Sequence, residues 1–182
     1  MHRLIVLLMT CLLLSACATR STGPTVALPS LRLAPAALGH TLSAQQRLVF
    51  HFGTQVRELD ALLEIDATEV RLAVQAMGRT GVRLQWDGTD LVEARAAWLP
   101  AAVRGERVLD DLQFSLWPAD AIRPVLPAGW ELTERGTLRE LRHNGRVWLQ
   151  REQVDAGTLR IRNDADGYEL TIESVAGGAQ QP

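Results

Sequence analysis

The residues best placed to do chemistry lie near the start of the chain, in Leu14-Ser15-Ala16-Cys17. A thiolate is a strong nucleophile and the natural atom for covalent attachment of a lipid. Small side chains at Ser15 and Ala16 let the chain lie extended in a peptidase groove. A basic start, His2 and Arg3, and an apolar run over 4–14 precede them. That layout is a secretory leader, and the run is too short to span a bilayer. Leu-Ser-Ala-Cys has the pattern of a bacterial lipobox. Cleavage between Ala16 and Cys17, a diacylglyceryl thioether on Cys17 and acylation of the new amine are therefore expected. An ordinary secretory cut beside a chance cysteine is the plainer alternative.

The other reactive residues carry less. Asp110 and Asp111 are adjacent, so on a helix they do not face one another. At a helix start they would suit the macrodipole. Asp164-Ala165-Asp166-Gly167 has part of a calcium loop but lacks the downstream Glu, and reads as a hairpin turn. Ser115 has neither a nucleophile elbow nor a nearby His. Beyond the leader the histidines are His40, His51 and His143, with no metal-ligand spacing. Arg160 and Arg162 share one strand face and could meet an anionic headgroup or form a solvated edge. No catalytic residue, metal or cofactor is expected.

Composition narrows the class. Basic residues number 19 and acidic residues 21, so no basic field draws nucleic acid. There is no lysine, which removes Schiff-base and phosphate-loop lysine chemistry. The two cysteines are Cys11, in the leader, and Cys17, so the domain has no disulfide. Residues 17–40, rich in Thr, Ser, Gly and Pro, read as a tether. Ala18, where an Asp would favour inner-membrane retention, points to the outer membrane. A domain spans 41–176 and a loose tail 177–182.

The domain is mainly β with a helical insertion. Leu48, Phe50 and Phe52 alternate with polar residues, as do Leu59 to Ile65, Val70 to Ala76, Val82 to Trp86 and, more weakly, Asp90 to Ala96. This is an antiparallel meander with one wet face. Helical spacing takes over across about 105–126, with Val108, Leu109, Leu112 and Leu116 on one side and Ile122 in a second short helix. About four strands follow, with Asn144-Gly145 as a type I′ turn. The helix pair should pack on the greasy sheet face.

This order of elements, with the string Leu84-Gln85-Trp86-Asp87-Gly88, resembles the LolA/LolB lipoprotein-carrier fold. The strings 109–118 and 126–130 resemble an uncharacterised family of LolB-like lipoproteins associated with aryl-polyene biosynthesis. The resemblance spans about 40–175. It implies a strongly curved, incomplete antiparallel β-barrel capped by short helices, with a hydrophobic cavity for acyl chains. By that resemblance the wall would be Leu48, Phe50, Leu59, Leu63, Leu72, Val74, Leu84 and Trp86. The lid would be Leu109, Leu112, Leu116 and Ile122. Met77-Gly78 would be a membrane-meeting loop. The same apolar positions would equally fill an ordinary core. The expectation is a monomeric, non-enzymatic, outer-membrane-anchored lipoprotein that binds or transfers lipoprotein acyl chains or a lipid-linked polyene, with a LolA-like periplasmic carrier as a possible partner. The alternative is a structural lipoprotein with a filled core that docks on an envelope machine.

Overall fold

The computed structural model describes residues 26–97 and 104–175, except for the side chain of Val175. The lipobox, with Ala16 and Cys17, Trp98 and the tail lie outside them. Ten strands form one antiparallel sheet: β1 (Leu42–Phe52), β2 (Gln55–Ile65), β3 (Val70–Ala76), β4 (Arg79–Trp86), β5 (Leu91–Arg95), β6 (Trp130–Arg135), β7 (Leu138–His143), β8 (Arg146–Gln153), β9 (Thr158–Asn163) and β10 (Tyr168–Val175). Five strands therefore follow the helices, where about four were expected. β8, β9 and β10 each run past their apolar stretches into polar residues that still pair in register.

The strand order is β5-β4-β3-β2-β1-β10-β9-β8-β7-β6. Every neighbour pair is a hairpin except β1 with β10, which joins the two halves at Leu48↔Ile172. The free edges are β5 and β6. Between them in sequence comes the helical segment, α1 (Gly105–Leu116) and α2 (Ala119–Ile122), followed by a 3-10 turn at Arg123–Val125. The sheet is an open, incomplete barrel, and the helices enter where it fails to close.

Alternation puts the greasy residues inside. Leu63 pairs with Leu72, which pairs with Leu84. Leu141 pairs with Leu149 in the other half. Residues of both halves join Leu109, Phe114, Trp117 and Ile122 in one buried core, so the sheet curls around α1. Each buried Leu or Ile contributes about 1.5–3 kcal/mol. α1 begins at Gly105, where the helical spacing was expected to start, and Gly105 lies close against Glu93 of β5, where a Cβ would be 2.6 Å from the Glu93 side chain. Asp110 and Asp111 consequently sit in the second turn and are buried, not in a solvated first turn.

The expected tether is the largest departure. From Leu28 to Leu38 the chain is a strap laid along α1 and β4. Leu31, Leu33 and Leu38 are buried in the core, and a 3-10 turn at Pro35–Leu38 brings the chain to β1. Its prolines and serines suggest a loose linker, but its leucines have a hydrophobic surface to cover. Its backbone groups find side chains in place of a strand. The Leu33 N–H donates to Gln113 Oε1 at 3.0 Å, and the Leu33 carbonyl accepts from Gln113 Nε2 and Trp86 Nε1, each at 2.8 Å. Trp117 Nε1 donates to the Ala34 carbonyl at 3.0 Å.

A candidate apolar trough

The expected cavity wall separates into two groups. Leu48, Leu63, Leu72, Leu84, Trp86, Leu109 and Ile122 are buried in the core. Phe50, Leu59, Val74, Leu112 and Leu116 are only half-buried, and all but Phe50 pack against that core from outside. The first group is filled space because α1 and the strap's leucines occupy the room that the resemblance assigns to a ligand.

The second group forms a surface on the concave side. Leu59 pairs with Leu48 and Leu48 with Ile172. Phe50 pairs with Leu170, which pairs with Ile161. Leu170 and Ile172, not picked out as wall residues from the sequence, are half-buried like Phe50 and Leu59. Phe50 also lies against Tyr168, ring centroids 5.0 Å apart. On α1, Val108, Leu112 and Leu116 are half-buried at i, i+4 and i+8, a single stripe. Strips of this kind on the central strands and on the capping helix, incompletely covered by the core, outline a candidate trough. The depressions on the outer face differ in kind. One, of about 300 Å³, is lined by Gln150, Glu152, Arg160, Arg162 and Glu169. Arg160 and Arg162 there face Glu152 and Asp164, at 3.6 and 2.8 Å.

A polar knot holds α1 over the sheet. Tyr168 Oη donates to Asp111 Oδ2, and Arg107 pairs with Asp111 Oδ1 at 3.0 Å. Asp110 Oδ1 accepts from the Leu31 N–H at 3.0 Å and from Arg32 at 2.9 Å. Burial raises the Asp110 pKa. Burial, helped by the Asp166 and Asp110 charges and opposed by Arg107, pushes Asp111 up to about 7. At the far end of α1, Arg139 Nη1 donates to the carbonyls of Phe114 and Trp117 at 2.5 and 2.7 Å. Adjacent Asp residues with Arg107 in one helix are the sequence signal for this knot, and their other partners lie dozens of residues away.

Asp111 gives the fold a pH slope. Its folded pKa lies above the ordinary 3.8, so the native state holds the proton more tightly than the unfolded chain. Stability should therefore be greatest at the acid end and fall as pH rises from 3.8 to about 7. D111N should flatten that slope in thermal melts taken across this window. An equally steep slope in D111N would assign it to another group.

Met77 and Gly78 form the β3–β4 turn, both with positive φ, 49° and 72°. Met77 is 97% exposed. The same end of the sheet carries the β1–β2 turn, where Phe52 is 46% exposed. The Asp164–Gly167 segment is a turn there too, held by Asn163, whose Oδ1 accepts the Asp166 N–H at 2.8 Å.

Residues 43–176 match the profile of a family described as protein of unknown function, DUF3261. The chain belongs to that family. The match takes in all ten strands of this DUF3261 chain, save the tip of β1, and both helices, but not the strap. No curated protein matches it. Among solved structures it is similar to the crystal structure of a DUF1329 family protein from Desulfovibrio piger, at 9% identity over 78% of this chain and 87% of that one, with a TM-score of 0.34.

Proposed function

We propose that this chain is a lipid-anchored envelope protein that holds an acylated or otherwise hydrophobic ligand in the trough and passes it on without catalysis. Cys17 would fix it to the periplasmic face of the outer membrane. The observation that carries this reading is the half-buried apolar strip Phe50, Leu59, Leu170 and Ile172 on three adjoining central strands, together with the half-buried apolar stripe of α1. Central strands of a sheet normally have their inner face fully covered. Each acyl CH₂ buried there contributes about 0.8 kcal/mol. Release needs only an acceptor of similar apolarity, such as the bilayer that holds the anchor, so no nucleotide or cofactor is required. The cargo would be lipoprotein acyl chains or a lipid-linked aryl polyene, received from a LolA-like periplasmic carrier. Met77, on its exposed turn, suits contact with the receiving bilayer, since a flexible thioether inserts readily.

The test is uptake. A C17A chain, freed of its anchor, should take up a fluorescent long-chain fatty acid with a rise and blue shift in emission. Absence of uptake by a folded C17A chain would sink the carrier reading. The buried state of Leu63, Leu84 and Leu109 then favours the second reading, a filled-core lipoprotein that docks on an envelope assembly.

A further inference from the structure

The concave face is not apolar throughout. On β8, Leu149, Arg151 and Gln153 share its inner side, because Leu149 is in the core and alternation places the other two beside it. Arg151 pairs in register with Arg139 on one side and Ile161 on the other. Two guanidinium groups therefore lie side by side under the curl of the sheet.

Only one has a counter-ion. Glu134 grips Arg139 with both donors of its fork, Nε at 2.7 Å and Nη2 at 2.6 Å. The third donor of Arg139 is used by the helix carbonyls. The Phe114 and Trp117 carbonyls are thus already met, and Glu134 is already paired. Arg151 has one hydrogen bond of this kind, from Nη2 to Gln153 Oε1 at 2.9 Å. Its Nε is buried with no partner. Among the described residues it has no carboxylate at ion-pair distance. Burial, and then the neighbouring Arg139 charge, hold its pKa below the usual guanidinium value, opposed by the Glu134 charge. A half-buried cation without a counter-ion is costly to keep unless something meets it.

What lies next to it is greasy. Gln153 pairs with Leu159, Leu159 with Ile172, Ile172 with Leu48, and Leu48 with Leu59. This is one transverse row of four apolar side chains, starting beside the polar pair Arg151 and Gln153. At about 4.8 Å per strand, the four steps from Gln153 to Leu59 cover about 19 Å, the scale of a long acyl chain. Ile172 and Leu59 in that row are among the half-buried residues of the trough.

We propose that Arg151, oriented by Gln153, receives the acid group, carboxylate or phosphate, of a single-chain anionic amphiphile whose tail lies along the half-buried Ile172 and Leu59, with the buried Leu159 and Leu48 beneath it. This rests on the carrier reading and adds to it the charge and polarity of the ligand. A planar guanidinium can take such a group through two parallel N–H donors, and Arg151 offers Nη1 and the second Nη2 proton beside the Gln153 bond. The tail supplies affinity and the cation supplies orientation, with the head at β8 and the tail directed toward β2.

The experiment compares ligands with the same tail. The C17A chain is titrated with oleate, with lysophosphatidate of the same chain and with monoolein, which is neutral. The acid ligands should bind about tenfold tighter than monoolein, the contribution expected of one charge-assisted contact. In R151Q that preference should vanish while monoolein binding is unchanged, and R151K should restore part of it. Equal binding of oleate and monoolein by the C17A parent would overturn the inference and leave the carrier reading standing. Binding of none of the three would remove both. Inorganic phosphate alone should not displace oleate; displacement would assign Arg151 to a free anion and overturn the amphiphile. Should R151Q fail to fold, the comparison of acid and neutral ligands on the parent chain still decides, because it uses no variant at that position.

Discussion

Replacing Gln113 by Leu should weaken the fold by about 2–4 kcal/mol and loosen the strap from the helix. Leucine has nearly the same bulk, so little volume changes, and the loss is in hydrogen bonding. Gln113 is fully buried and its amide reads Leu33 as a strand neighbour would, accepting from the N–H and donating to the carbonyl. The carbonyl keeps Trp86 Nε1. The N–H keeps nothing, and a buried orphan donor costs about 1–3 kcal/mol, with the lost amide bond adding about 1. Urea unfolding should show the lower midpoint. Limited proteolysis should show new cuts between Leu28 and Leu38 before any cut in the sheet. An unchanged midpoint would mean that the strap contributes nothing to the folded state.

Charge introduced at two leucines on the concave side should have opposite consequences. Leu72 lies between Leu63 and Leu84 in the sheet, and all three are buried. Leu72→Glu places a carboxylate there with no partner, a cost of several kcal/mol that a domain of this size cannot absorb. The variant should be unfolded by circular dichroism. Leu112 is half-buried on the outer stripe of α1, and Leu112→Glu should leave the melt within a few degrees of the parent, a loss of about 1 kcal/mol. Its fatty-acid uptake should nevertheless fall by tenfold or more, because the charge stands where the tail would lie. A folded Leu112→Glu chain with undiminished uptake would take α1 out of the binding surface.

These two leucines also show how far the sequence reaches. Both obey the apolar period of their element, and from the period alone they look alike. Strand identity was legible because alternation is a local property: Leu59 to Ile65 and Val82 to Trp86 fix an inner and an outer face within a few residues. Leu62, out of step with its neighbours, is exposed as its parity requires. Trp117-Pro118 marks the end of α1 for equally local reasons. What alternation does not encode is which inner residue another element covers. That depends on pairings such as Gln113 with Leu33 or Asp111 with Tyr168, which lie 80 and 57 residues apart. The strap was hidden for a further reason. Its polar, proline-rich composition is that of a linker, and only the spacing of Leu28, Leu31, Leu33 and Leu38 hints at a buried side. Arg139 and Arg151 sit at inward parity in β7 and β8, where a charge breaks the apolar pattern, and such a break is the signal that could have found them.

The pairing of β1 with β10 has a kinetic meaning. Every other pairing in the sheet is a hairpin that closes over a short turn, so each half is a stack of local contacts able to zip rapidly. Leu48 and Ile172 are about 120 residues apart, and bringing them together carries the loop-closure entropy of nearly the whole domain. The two half-sheets should therefore form first and the seam between them last. The trough straddles that seam, with Leu59 and Phe50 on one bank and Leu170 and Ile172 on the other. Its apolar bed would thus be the final part of the domain to assemble, and the first surface to split when the two halves breathe apart.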